Sequence, residues 1–340
     1  MKNACAMCGV HFQLFENGYL YLSDASLKLK EDFSQKAVYL HEGAFIPYQT
    51  VFELISLMDL IGSKENVQAS VMCEITAPAI TVPLPELAAR VRHSDTVQLI
   101  QNTDFLSYFQ PIVSLSNLSL YGYESLLRDP LGRISPGQLF ETASLTGMQG
   151  LLDQKAREVA IKGRKGQIED GLKSFINFLP STIYNPEFCL RHTFQIVEAS
   201  GVKSEDLVFE VVETEKISDM DHLKNIFKTY KQEGMKVALD DFGAGYSTTE
   251  VLLELLPDFV KIDRGKIMDC DRDLEKQLFL KSVVEVSQAL NIITLAEGIE
   301  RKEELEFCRD IGITLAQGYY LGKPESRPAY ILPQSAIPGL

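Results

Sequence analysis

The sequence predicts an α/β protein: a closed (β/α)8 TIM-like barrel with an irregular antiparallel first strand, preceded by a small α+β N-terminal module. Three observations carry that reading. From Phe105 onward, short β-branched or apolar runs alternate with amphipathic stretches of helical period. Eight such runs fall in about 230 residues, the usual content of a closed barrel. Nearly every run ends in an acid, an amide or an amine, and barrels carry their functional groups at the C-terminal ends of their strands.

Taken in order, residues 1–95 form the module and residues 96–335 the barrel. In the module, 19–22 suits a strand, and 47–60 suits an amphipathic helix with Val51, Leu54, Ile55 and Met58 on one stripe. Residues 72–82 read as a second strand broken by Pro78, and Pro83 and Pro85 lead into a short helix over 86–92. The barrel strands are expected at 108–114, 120–127, 174–178, 207–212, 237–240, 259–262, 293–296 and 315–319. Helices over 221–233, 274–290 and 302–311 lie between the later ones. A hairpin-length loop around Asn117 makes the first two strands antiparallel, and the rest follow the parallel β-α-β pattern.

Composition limits the function. The chain has 340 residues, 45% hydrophobic and 24% charged, with a net charge of −14. That balance argues against binding a nucleic-acid polymer, and it requires any phosphate ligand to arrive with metal ions that reverse the local field. No apolar core opens the chain and no window reads as a membrane span. With six scattered cysteines, the expectation is a soluble, cytoplasmic protein with reduced thiols. Cys5 and Cys8, followed by Gly9, are either ordinary cysteines or a zinc or redox pair. Zinc would need further ligands, for which His11, His41 and Cys73 are available.

The chemistry concentrates at the strand ends: Glu124; Asn177; Glu210 with Glu213; Asp240 with Asp241; Lys261 with Asp263; Glu297 with Glu300; and Gln317. Asp240-Asp241 alone is either a solvated acidic turn or half of a metal site, since unpaired buried charge costs several kcal/mol or more. The other strand ends decide for the metal site. Strand parity agrees: Glu210 shares a face with Val208, and Glu297 shares one with Leu295. Asp240 and Asp241 cannot both point inward from a regular strand, so the strand must break there, with Gly243 and Gly245 suited to allow it. Carboxylates and an amide carbonyl, without histidine, are hard oxygen ligands that favour magnesium or manganese over zinc. A bridging aspartate between acids suits two-metal phosphoryl transfer, with Lys261 placed to orient a water or offset transition-state charge. A two-carboxylate glycosidase would leave Asn177, Lys261 and the remaining acids idle.

These residues fall within longer matches: Gln110-Pro111-Ile112-Val113, Tyr123-Glu124-Ser125-Leu126-Leu127-Arg128, Phe209 to Glu213, Asp240 to Ser247, Val260 to Asp263, Ala296 to Glu300, and Gln317-Gly318-Tyr319. With Asn177, they make residues from about 105 to 329 resemble the EAL-domain cyclic-di-GMP phosphodiesterases. The resemblance implies two magnesium or manganese ions held by Glu124, Asn177, Glu210, Asp240, Asp241 and Glu297, with Asp240 as the bridge. It implies that Lys261 contacts the attacking water and that Glu213 shapes the loop between Phe242 and Thr249. Leu126, Arg128, Asp263, Glu300 and Gln317 match positions that contact substrate, and Glu297 counts with the catalytic set. It further implies hydrolysis of cyclic-di-GMP to linear pGpG, and a homodimer formed near the Phe242 loop.

Three positions depart from the family pattern. The signature reads Glu124-Ser125-Leu126, while Val212 and Ala244 stand where threonine is usual. Each lost hydroxyl removes a hydrogen bond worth about 0.5–1.5 kcal/mol where one was made. They keep a second reading open, a catalytically silent cyclic-di-GMP receptor signalling through the N-terminal module. Hydrolysis of a different phosphodiester, such as a linear dinucleotide, is a third.

Overall fold

The computed structural model describes residues 11–24, 37–40, 43–76, 80–211, 219–244 and 249–330. Cys5, Cys8, His41, Pro78, Val212, Glu213 and the 245–248 part of the Phe242 loop lie outside them. The chain divides into two compact units, Met1–Asp104 with Arg133–Leu152, and Phe105–Gly132 with Asp153–Leu340. The first unit is therefore not contiguous in sequence, because helix Pro136–Leu145 counts with it.

The first unit contains an antiparallel sheet of β1 (Gly18–Leu22), β2 (Val38–Leu40), β3 (Gly43–Tyr48), β4 (Gln68–Met72) and β5 (Val82–Pro83), in the order β2-β3-β1-β4-β5. Alternation places Leu20 and Leu22 of β1 and Ala69 and Val71 of β4 in the core. Thr50 caps helix Val51–Ile61, its Oγ1 accepting the Glu53 N–H at 3.1 Å, and Leu54, Leu57 and Met58 form the buried face.

Three expectations for this region need correction. The helix expected over 47–60 starts only at Val51, because Pro47 belongs to β3, opposite Tyr19. Among the described residues, β2 pairs only with Gly43–Phe45, so Pro47 costs no ladder hydrogen bond on that side. The strand expected over 72–82 instead ends at Met72, and residues 73–76 bend away before β5 begins at Val82. Of the β-branched residues past Met72, Ile75 and Thr76 lie in bends while Val82 pairs with Ala69 of β4, so propensity alone did not set the strand's extent. The short helix expected over 86–92 runs Leu84–Arg92, and a further helix, Ser94–Asn102, follows it.

The second unit is the closed barrel. Its strands are β6 (Leu106–Ser114), β7 (Leu120–Arg128), β8 (Lys173–Phe178), β9 (Leu207–Val211), β10 (Lys236–Phe242), β11 (Phe259–Ile262), β12 (Ile293–Ala296) and β13 (Leu315–Gln317). β6 is antiparallel to both neighbours, β7 and β13, and the other pairs are parallel. The irregular first strand is thus present. Its hairpin to β7 turns at Leu118, with φ +56°, and Asn117 Oδ1 accepts the Ser119 N–H at 3.0 Å.

Inside the barrel, Ile112, Phe175, Val208, Ala238, Phe259, Leu295 and Leu315 form one apolar layer, with Tyr121 packed against it. Phe175 and Phe259 meet edge to face, with centroids 5.2 Å apart. The intervening residues face outward to the helices: Phe209, for example, stacks on Tyr230 of helix Met220–Gln232 at 4.2 Å. This layer is the floor on which the polar strand ends stand. Replacing Phe259 by Ala removes its largest edge-to-face partner, and we expect a loss of about 3–5 kcal/mol. A chemical denaturation series checks this through its midpoint; a loss under about 1 kcal/mol would mean that the floor can collapse around the gap.

Candidate active site

Six of the seven floor residues are followed by a polar site residue two positions farther along the chain. Phe175 is followed by Asn177, Val208 by Glu210, Ala238 by Asp240, Phe259 by Lys261, Leu295 by Glu297, and Leu315 by Gln317. On β6, which runs the other way, Gln110 stands two residues before Ile112 and pairs with Glu124 of β7. The pleat sends residues i and i+2 to the same face, so one apolar layer fixes one polar layer above it.

Lys261 is the centre of that layer. Its side chain is 1% exposed, and Nζ lies 2.9 Å from Glu210 Oε2, 2.9 Å from Glu297 Oε1, 3.0 Å from Asp240 Oδ2 and 3.8 Å from Glu124 Oε1. Two amides tie the carboxylates together. Asn177 Nδ2 donates to Glu124 Oε1 at 3.1 Å and Glu210 Oε1 at 3.0 Å, while Gln317 Nε2 donates to Glu124 Oε2 at 2.7 Å. Glu210 Oε2 is buried and makes no hydrogen bond of good geometry despite its nearness to Nζ, and Gln317 Oε1 is buried without a partner.

Asp241 joins the group through a break in β10. The register with β11 shifts between Leu239 and Phe242, and Asp241 takes φ +54°. Its N–H donates to Asp240 Oδ1 at 2.9 Å. One carboxylate oxygen from each of Asp240, Asp241 and Glu297 can then lie within 4.8 Å of the others, the spacing of a shared cation. Gly243, at φ +96°, follows, and a Cβ there would meet Phe279 Cζ at 2.8 Å.

The charges do not balance. Burial pushes the Glu210 carboxyl well above its usual range, with repulsion from Glu124 and Asp240 adding to the effect and Lys261 opposing it. Burial likewise raises Glu297 well above its usual range, with Asp240 adding and Lys261 opposing. For Glu124, burial is outweighed by Lys261 and the two amides, and its pKa falls. Burial disfavours the Lys261 charge, yet the four carboxylates more than reverse that and hold the ammonium firmly protonated. One cation is too few for these acids. A divalent ion among the hard oxygen donors of Asp240, Asp241 and Glu297 fits that deficit, with Glu124, Glu210 and Asn177 adjoining.

The other expected positions stand apart from the cage. Leu126 and Arg128 follow Glu124 on the same face of β7, and the Arg128 guanidinium lies over the Tyr108 ring at 5.5 Å. Asp263 Oδ1 accepts the Gly265 N–H at 2.8 Å, capping helix Arg264–Ile267. Exposed Glu300 pairs with Arg264 at 2.7 Å. Glu213 lies outside the described residues. Sequence reasoning missed Glu304, which is 1% exposed and accepts the N–H groups of Asp269, Glu300 and Arg301. It fixes the segment that follows Glu297, and its signal was an acid three residues after Arg301 at a helix start. Arg301 Nη2 fills the cluster of Asp269, Asp271 and Glu304, at 3.0, 2.5 and 3.0 Å.

A family model described as the EAL domain matches residues 93–324. The chain belongs to the EAL-domain family. A relative from Escherichia coli K12, described as a probable cyclic di-GMP phosphodiesterase, PdeG, is 33% identical over 233 residues. The match covers 66% of this chain and 45% of the relative, so this chain spans under half of that protein's length. Among solved structures, a standalone versatile EAL protein from Vibrio cholerae O395, in its c-di-GMP-bound form, is 34% identical, with a TM-score of 0.62. That match covers 68% of this chain and 97% of the other. Klebsiella pneumoniae BlrP1, solved as a manganese and cyclic-di-GMP complex, matches 91% of this chain and 96% of its own at 21% identity and TM-score 0.62, a likeness of fold.

The EAL cage gives a pH dependence of defined sign. Glu210 and Glu297 hold protons more tightly folded than unfolded, so above the ordinary glutamate value of 4.5 the native chain binds more protons than the unfolded one. Stability without metal therefore falls as pH rises from there through the raised values; the lowered Glu124 acts mainly below 4.5, where its contribution is lost as pH falls. Thermal unfolding in chelator from about pH 5 to 8 should show a falling Tm that magnesium restores. A Tm that rises with pH and ignores magnesium would contradict the charge deficit.

Proposed function

We propose that this chain is a divalent-metal-dependent phosphodiesterase that hydrolyses cyclic-di-GMP to linear pGpG. The observation that supports this most is the donor set around Lys261. Four carboxylates, Glu124, Glu210, Asp240 and Glu297, face one ammonium, and Asp241 adjoins Asp240 and Glu297; with all five ionised the formal excess is four negative charges, which two divalent cations match. The bound form of the Vibrio cholerae relative and the description of the Escherichia coli one support cyclic-di-GMP as the substrate.

Two magnesium or manganese ions, when bound, supply Lewis acidity toward the phosphate and its attacking water. Glu124, Asn177, Glu210, Asp240, Asp241 and Glu297 would hold them, and Gln317 keeps the Glu124 carboxylate turned inward. Lys261 keeps its proton throughout: its Nζ–H groups orient the water and offset charge that develops on the phosphoryl oxygens. Arg128, braced on Tyr108, and Leu126 contact the nucleotide beyond the cage, with Asp263 and Glu300 at its rim. Glu213 holds the loop between Phe242 and Thr249. Residues 1–95 regulate or dimerise the barrel of residues 96–335.

Incubation with cyclic-di-GMP and magnesium or manganese should yield pGpG, and Glu124→Ala should lower turnover by about 100-fold or more. Binding without product would make the chain a receptor; product from a linear dinucleotide alone would reassign the substrate. The homodimer we propose uses apolar side chains past the Phe242 loop, on helices Thr249–Leu255 and Leu274–Ala289 and just after the first of them: Leu253, Leu256, Leu274 and Leu278 are 50–69% exposed. Leu274→Glu with Leu278→Glu should convert a dimer to monomer in light scattering; an unchanged mass would place the interface elsewhere.

A further inference from the structure

The first unit contains a cavity of about 330 Å³ that the barrel chemistry does not use. Phe12, Phe15, Val71, Ile80 and Leu87 are among its walls. Arg90 also lines it, although that side chain is only 4% exposed. A guanidinium is seldom buried so far unless it is paired. Here, among the described residues, its hydrogen bond runs from Nε to the Thr146 carbonyl at 2.7 Å. The nearest carboxylate, on Glu86, is 3.9 Å from Nη2, too far for a hydrogen bond, and no Asp or Glu is among the residues that line the cavity. The charge is under-compensated, and burial lowers the Arg90 pKa accordingly, with Glu86 only partly opposing.

We propose that this cavity binds a small carboxylic acid with an apolar body, its carboxylate on the Arg90 guanidinium. The planar fork of arginine matches a carboxylate, and the apolar walls select a hydrophobic body over a fully hydrated anion such as phosphate. The volume is at the small end of ligand cavities, which fits an acid of one ring or a short branched chain. The barrel mouth, with its excess of carboxylates, repels such a ligand, so the two sites do not compete for it.

Calorimetric titration of the full chain with benzoate, benzamide and inorganic phosphate tests the proposal. Benzoate should bind about tenfold or more tighter than its neutral isostere benzamide, and tighter than phosphate. Arg90→Met should abolish the preference for benzoate over benzamide, and Arg90→Lys, which keeps charge but not the fork, should weaken it several-fold. Equal affinity for benzoate and benzamide in the unmodified chain overturns the proposal without any variant. A preference that survives Arg90→Met, or is undiminished in Arg90→Lys, also overturns it, as does phosphate binding more tightly than benzoate.

Discussion

One ammonium group among four carboxylates is the interaction on which the barrel mouth depends. Burying these acids without Lys261 would leave several uncompensated charges in a low-dielectric interior, each costing several kcal/mol. With Lys261 present, the cage is held but still short of positive charge, as the raised Glu210 and Glu297 carboxyls show. That intermediate state suits a site meant to take up cations. A side-chain cation seated among the ligand oxygens themselves would compete with metal, and Arg301 is seated in this way among Asp269, Asp271 and Glu304.

The cage also depends on the layer beneath it. Phe175, Val208, Ala238, Phe259, Leu295 and Leu315 fix the height and direction of the residues two positions on. A strand that slipped by one residue would send both its floor residue and its ligand to the helix side together. Packing energy and site geometry are therefore set by the same register. The amides Asn177 and Gln317 add the remaining constraint, since each donates to a glutamate that would otherwise repel its neighbours.

This coupling explains what could be read from the sequence. Where an apolar strand ended in an acid or amine, as at Val208-Phe209-Glu210, the pleat alone gave both the core face and the functional face. The antiparallel β6 was legible from a different signal, the hairpin-length loop around Asn117. The N-terminal sheet was not. Pro47 in β3 argued for a helix start, and the stretch from Met72 to Val82, read as one strand broken by Pro78, bends away over residues 73–76 instead. Glu304 was missed differently: it accepts three backbone N–H groups, and the trace of that role in the sequence is an acid three residues after Arg301 at a helix start. Arg90 read as an ordinary helix residue because nothing in its own segment records the cavity that it lines.

The break at Asp240-Asp241 shows where the fold gives up regularity for the site. A regular β10 would send these neighbouring side chains to opposite faces and put Asp241 among the apolar contacts of the helices. Instead the chain accepts a left-handed residue that is not glycine, at a cost of roughly 1–2 kcal/mol. Part of that cost is offset locally by the Asp241 N–H bonding to Asp240 Oδ1. The gain is two adjacent carboxylates on one side of the strand, which a period of two cannot otherwise provide. Strain of this kind persists only where the surroundings fix it. Here the pairing of Leu239 before the break and Phe242 after it, together with the close approach of Phe279 to Gly243, supplies that fixing.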